Sequence, residues 1–133
     1  MKTVSAISIS FLIALTLACG YSKKAAPPTA GTVPAISQLS PDSTNAGGPA
    51  FAMTINGTNF SSKAVVNWNG AAQTSNTTFI SSKQLTVSVP AAMIASPATV
   101  QISVTNPGTT GTGLYGGGGT LSETSTPMSF TIN

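Results

Sequence analysis

The chain lacks arginine and histidine and is poor in every other charged residue. Its 133 residues include five Lys, two acidic residues and one Cys, and the charged share of 5% compares with roughly 25% in typical soluble domains. Nucleophilic sites of the Ser-His-Asp or Cys-His type need a histidine. One Cys with Asp42 and Glu123 also falls short of the about four ligands of a zinc site. The composition therefore predicts no catalytic residues, no metal site, no cofactor and no enzyme.

The scarcity of cationic side chains also argues against a nucleic-acid partner. Nucleic-acid interfaces cluster Lys and Arg on one face, and this chain has no Arg for a bidentate base contact. The lysines stand at positions 2, 23, 24, 63 and 83. Within residues 34–133 the two lysines and the two acids cancel, so the sequence pI of about 9.4 reflects the N-terminal region.

Residues 1–18 have the layout of an export signal. Lys2 is followed by an uncharged, mainly apolar stretch from Val4 to Ala18. This stretch is shorter than the roughly 20 apolar residues that a transmembrane helix needs and has the length of a signal-peptide apolar region. We therefore expect residues 1–18 to be removed on export.

The end of this signal, Leu15-Thr16-Leu17-Ala18-Cys19-Gly20, resembles the lipobox of bacterial lipoproteins. The resemblance implies cleavage before Cys19 and attachment of lipid to its thiol and new amino group, with palmitate among the acyl chains. Thr16-Leu17 departs from the preferred Leu-Ser/Ala order. The alternative is an ordinary signal peptidase site at Ala18, which would leave an unpaired Cys in an exported protein. In the lipoprotein reading, Gly20 favours the outer over the inner membrane of the cell envelope.

Residues 19–33 are predicted to carry the lipid and then form a flexible tether. The segment has no hydrophobic periodicity, and Pro27-Pro28 stiffens its middle. Lys23 and Lys24 either contact anionic lipid headgroups or simply keep the tether soluble.

From residue 34 onward, short alternating apolar segments separated by turn residues predict an all-β sandwich of about seven strands. Strands are expected at 34–41, 51–56, 66–68, 72–80, 85–89, 100–104 and 130–132. Asn56-Gly57 is expected to form a turn and Asn69-Gly70 a tight hairpin. A helical turn is expected at 91–95.

An ordered series of motifs in this region resembles the IPT/TIG domain, an immunoglobulin-like β-sandwich. The motifs are Pro34-x-Ile36-x-x-Leu39-x-Pro41, Gly47-Gly48, Ile55-x-Gly57-x-Asn59-Phe60, Val66-x-Trp68-Asn69-Gly70, Leu85-x-Val87-x-Val89-Pro90 and Val100-x-Ile102-x-Val104-x-Asn106-Pro107. The resemblance covers residues 34–133 and implies a binding or spacer module without catalysis. The Gly-rich segment 107–127 is longer than the connection usual in the family.

Two aromatic residues are candidate ligand contacts. Trp68 would stack on a sugar if exposed, but its place in the strand pattern favours the core. Tyr115 stands beside four glycines, 116–119, which lack the Lys and following helix of a phosphate loop. The sequence thus predicts a lipid-anchored IPT/TIG module with a structural or protein-interaction role. The alternative is a surface carbohydrate-binding module, with an unidentified protein or polysaccharide as partner.

Overall fold

The computed structural model describes residues 26–111 and 117–133. The predicted signal, Cys19 and Tyr115 lie outside these ranges. The strands are β1 Ala35–Ser40, β2 Ser43–Thr44, β3 Phe51–Thr58, β4 Val65–Trp68, β5 Ala71–Ala72, β6 Thr77–Ser81, β7 Gln84–Val89, β8 Ala98–Asn106, β9 Glu123–Thr124 and β10 Met128–Ile132. Seven of these have four or more residues, which agrees with the expected number.

The strands form two sheets. The first has the order β1-β3-β7-β6, and the second has the order β2-β10-β8-β4-β5 with β9 added beside β8. Neighbouring strands are antiparallel except for β10 and β2, which are parallel. The predicted all-β sandwich is therefore confirmed.

The two sheets enclose one apolar core. Because side chains alternate between the faces of a strand, Leu85, Val87 and Val89 of β7 all point inward and are almost completely buried. The same alternation holds for Val100, Ile102 and Val104 in β8. The buried apolar residues are Leu39, Met53, Ile55, Phe60, Ala64, Val66, Trp68, Leu85, Val87, Val89, Ile94, Val100, Ile102, Val104, Phe130 and Ile132.

The predicted Asn69-Gly70 hairpin is confirmed. It joins β4 to β5, with Asn69 at φ 51° and Gly70 at φ 84°. Positive φ at both central residues is the requirement of a type I′ turn, which Asn-Gly meets at little cost. Asn69 also exchanges hydrogen bonds with β8, since its backbone N–H donates to Gln101 O at 2.8 Å and its side-chain Oδ1 accepts from Gln101 N at 3.3 Å.

The turn expected at Asn56-Gly57 is wrong. Strand β3 continues through both residues to Thr58, and the chain turns at Asn59, which has φ 61°. Gly57 is needed for another reason: a Cβ there would run into the carbonyl oxygen of Ala35 and the ring of Phe60. The glycine allows β1 and the Phe60 ring to approach the strand closely, a use of Gly that strand positions commonly show.

The single return strand expected over residues 72–80 is also wrong. Only Ala71 and Ala72 pair with β4, and the chain then crosses to the other sheet, where β6 pairs with β7. Phe79, within this expected strand, is 38% exposed, and β6 is the last strand of its sheet. The apolar pattern continues across 72–80, but the sheet in which each part pairs is decided by contacts distant in sequence.

The helical turn expected at 91–95 is confirmed as a 3-10 helix, Ala91–Ile94. Its Ile94 is fully buried in the core, next to the end of β7. In the described part of the chain, no helix has both the length and the apolar character needed to cross a membrane.

The sandwich has two ends that differ in what they carry. At the lower end, β1 begins and β3 and β8 finish, since Ala35 pairs with Thr58. The loop 59–64, the turn 82–83 and the segment 107–110 lie here, as hydrogen bonds from Gly57 N and Phe60 N to the turn show. At the upper end lie the loops 45–50 and 90–97, joined by the bond from Gly47 N to Ile94 O at 2.8 Å.

Candidate functional site

Trp68 lies in the core. Its side chain is 7% exposed, and its ring centroid is 5.5 Å from that of Phe130, with an angle of 55° between the ring planes. This tilted contact is a favourable aromatic geometry. The ring is therefore packed in the core and does not face solvent, where a sugar could bind. This agrees with the core position that the strand pattern favours.

The other predicted site residues cannot be placed. Cys19 and Tyr115 are both outside the described residues, as are Lys23 and Lys24. Their roles remain predictions. In the described ranges no group of three or more potential metal-ligating side chains comes together. The Asp42 carboxylate accepts a hydrogen bond from Ser43 Oγ at 3.2 Å.

A buried asparagine organises the lower end. Asn106, the last residue of β8, is 6% exposed. Its Nδ2 donates to Asn59 O at 2.7 Å and to Thr32 O at 2.8 Å, and its Oδ1 accepts from Ser61 N at 2.9 Å. One side chain thereby joins the N-terminal segment, the loop 59–64 and the second sheet.

Sequence reasoning missed Asn106 as a structural residue, although a signal was present. It continues the inward series of alternate residues at 100, 102 and 104, where a polar side chain interrupts an apolar pattern. A buried polar group must find hydrogen-bond partners, so an asparagine at that position predicts a network. The partners themselves come from segments 45 and 74 residues away and have no local signature.

The N-terminal segment is attached to the domain at Thr29. Thr29 N donates to Gly119 O at 2.9 Å, and Leu121 N donates to Thr29 O at 2.9 Å. Thr29 runs parallel to Thr120, which pairs antiparallel with Thr109. Thr29 falls within the expected flexible tether, residues 19–33, but in the structure it pairs with Thr120 of the Gly-rich segment.

The parallel direction of this pairing fixes the side from which the chain arrives. After Thr120 the chain runs toward the upper end and forms β9, which pairs with β8 at Asn106 and Thr105. Since Thr29 is parallel to Thr120, the residues after Thr29 run in the same direction, toward the sandwich, and reach β1 at Ala35. Ala26 therefore lies on the outer side of the lower end.

A groove opens at the same end. It has a volume of about 500 Å³ and is lined by Ser61, Ser62, Lys63, Pro107, Gly108, Thr109 and Thr110. Lys63 is its one charged residue, and no carboxylate of the described chain forms an ion pair with it. The hydroxyl of Ser61 is buried and has no hydrogen-bond partner among the described residues. The groove thus offers an ammonium group surrounded by hydroxyl and backbone groups.

A second exposed feature is the edge strand β6. Ile80 is 54% exposed and stands beside the partly exposed Phe79, and the strand contains no charged residue. Edge strands usually carry charges, proline or a bulge that oppose pairing with another chain. Here only the register shift between Phe79 and Ser81 and the nearby Lys83 serve that purpose.

Comparison with protein families identifies the fold family. The IPT/TIG domain model matches residues 34–126, which is more than half of the chain. The chain therefore belongs to the IPT/TIG family, a group of immunoglobulin-like domains that are not catalytic. In the comparisons with curated proteins and with solved structures, nothing matches this chain.

Membership of the family agrees with the architecture, since two sheets pack as an immunoglobulin-like sandwich. It indicates a protein-interaction or structural module. The long connection between β8 and β10, which departs from the family pattern, contains the short strand β9 and the bridge from Thr109 to Thr120 in its described parts.

Proposed function

We propose that this protein is a lipoprotein of the bacterial cell envelope that presents one IPT/TIG module for structural or protein-protein contacts. The carrying observation is the position of Cys19. It is the one Cys in the chain and stands at the position that the lipobox resemblance requires, directly after Ala18 and an apolar signal. The family supplies the second half of the proposal, because IPT/TIG domains serve as interaction or structural modules.

The topology is compatible with display from a membrane. The chain arrives at the lower end of the sandwich from Ala26, seven residues after Cys19. A lipid at Cys19 would hold that end toward the bilayer while leaving the upper end in solution. Two or more acyl chains are needed for stable anchoring, and the lipoprotein modification supplies them.

The anchor is tested by expressing the full chain and its Cys19→Ala variant in a bacterium grown with labelled palmitate. We expect the unmodified sequence to incorporate label and to enter the detergent phase on phase separation, whereas Cys19→Ala does neither. Ser22→Ala is the matched control, since it alters a neighbouring residue outside the lipobox and should leave labelling unchanged. An unlabelled, water-soluble wild-type protein would contradict the proposal.

The membrane to which the protein goes is tested separately. Gly20 lacks the acidic group that favours inner-membrane retention in enteric bacteria, so we propose the outer membrane as the destination. Fractionation of the two membranes by density should place the wild-type protein in the outer-membrane fraction and move part of Gly20→Asp to the inner one. If the wild-type protein and Gly20→Asp divide between the two membrane fractions in the same way, the anchor proposal stands but the assignment to the outer membrane is refuted.

A further inference from the structure

The four charged residues of the sandwich are distributed unevenly between its ends. Lys63 in the loop 59–64 and Lys83 in the turn before β7 both lie at the lower end and are exposed. Glu123 is also at this end, where it pairs in register with Asn106. Asp42 is at the upper end, where its carbonyl accepts from Thr131 N at 3.3 Å. The domain has no net charge, but its lower end has two lysines against one acid and is positive, whereas its upper end has Asp42 and is negative.

The positive end is the end at which the chain arrives. Thr29 pairs parallel with Thr120 and leaves Ala26 on the outer side, so Ala26, the first described residue, lies at this surface. At the lower end, the groove adds the hydroxyls of Ser62 and Thr110 next to the ammonium of Lys63. Hydroxyl and ammonium groups are suitable donors to the phosphate oxygens of lipid headgroups.

We propose that the lower end of the sandwich, through Lys63 and Lys83, is a docking face for an anionic lipid surface, and that it orients the domain upright on the membrane. The proposal rests on the proposed function in one respect only, which is that the Cys19 side is the membrane side. Asp42 reinforces the orientation, because an inverted domain would bring this carboxylate against the anionic surface.

The length of the sandwich makes the two ends electrostatically independent. Strand β3 has eight residues and at about 3.3 Å per residue spans roughly 26 Å. The Debye length at physiological ionic strength is only about 8 Å. An anionic surface that attracts the lower end is therefore screened from the upper end, and docking should change the reactivity of the lysines at one end only.

The test attaches the mature chain, which begins at Cys19, through its thiol to a maleimide lipid in preformed vesicles. One set of vesicles is neutral phosphatidylcholine, and the other also contains anionic phosphatidylglycerol. A water-soluble amine-acylating reagent is added, and the labelling of each lysine is followed by mass spectrometry. We expect the labelling rates of Lys63 and Lys83 to fall about fivefold on the anionic vesicles and to recover in 1 M salt, where the Debye length is about 3 Å.

Matched variants separate docking from a general effect of the vesicles. Ser96 is exposed at the upper end, and the lysine introduced by Ser96→Lys should be labelled at the same rate on both kinds of vesicle. Lys63→Glu should weaken the protection of Lys83, whereas Ser96→Glu should leave it intact.

Equal labelling of Lys63 and Lys83 on neutral and anionic vesicles would overturn the proposal, as would equal protection of the lysine introduced at position 96. Chemical coupling supplies the attachment in every arm. The result is therefore independent of whether cells lipidate Cys19, which the palmitate experiment decides.

Discussion

Replacing Asn106 with leucine removes the side chain that joins three segments at the lower end. Leucine has a similar size but no polar atoms, so Ser61 N, Thr32 O and Asn59 O each lose a partner. A net contribution of about 1 kcal/mol for each bond gives a loss of about 3 kcal/mol in the free energy of unfolding. That loss is a substantial fraction of the roughly 5–15 kcal/mol by which domains are stable.

Urea unfolding followed by Trp68 fluorescence measures this loss. Trp68 is the only Trp in the chain and is buried against Phe130, so its emission reports on the intact core. With a slope of about 1.5 kcal/mol per M, within the usual range for small domains, the midpoint should fall by about 2 M. Asn45→Leu, at an exposed site with no side-chain hydrogen bond in the structure, is the control and should change stability by less than about 0.5 kcal/mol.

Asn106→Asp distinguishes the hydrogen-bond network from simple packing. It keeps the acceptor for Ser61 N but turns an oxygen toward the carbonyls of Thr32 and Asn59, so it should destabilise the domain at least as much as Asn106→Leu. The reasoning is refuted if Asn106→Leu costs less than about 1 kcal/mol, the value of a single bond, or if Asn106→Asp is neutral.

Three further predictions concern the packing and the exposed edge. Gly57→Ala should lower the free energy of unfolding by about 2 kcal/mol or more, because the added Cβ meets backbone atoms. Gly70→Ala should lower it by about 1 kcal/mol, from the positive φ alone. Thermal melts compare the two variants, and equal losses would contradict the argument that Gly57 permits a close approach. Ile80→Lys adds a charge to the edge strand β6, so it should reduce concentration-dependent association measured by light scattering and leave the melting temperature nearly unchanged. If the variant associates as much as the wild type, the chain does not associate through β6. Acrylamide should quench Trp68 emission weakly in the folded protein and strongly in urea, and strong quenching before unfolding would contradict its burial.

The sandwich and most of its core were predictable because both depend on local alternation. In β7, Leu85, Val87 and Val89 alternate with polar residues and are buried as a set. The hairpin at Asn69-Gly70 was predictable for a similar reason, since the conformational preference of two adjacent residues decides it. These features are encoded within a few positions of the chain.

The errors occur where distant segments meet. Gly57 reads as a turn residue from its neighbours, but its role is set by Ala35 and Phe60, which approach it from other elements. The change of sheet between β5 and β6 likewise depends on whether Thr77 pairs with Val87 or with β4. Periodicity does not contain that choice.

The candidate site was hidden from sequence analysis for the same physical reason. Lys63 and Lys83 are separated by three strands, β4, β5 and β6, and nothing in their spacing indicates that they share one end of the sandwich. The sum of charges over residues 34–133 is zero, which suggests a surface without electrostatic preference. Only the topology shows that the positive charges lie together and that the negative Asp42 is about one strand length away.

The path of the chain also determines which surface is free for a partner. Thr29 ties the N-terminal segment to the lower end through Gly119 and Leu121, so an anchor at Cys19 would bring that end to the bilayer. The upper end, with the loops 45–50 and 90–97, would then be the surface farthest from the membrane, roughly 26 Å away along β3. A protein partner approaching from solution would reach those loops and the exposed side of β6 first, and the lower end would be available only to lipid or to a partner that lies in the membrane.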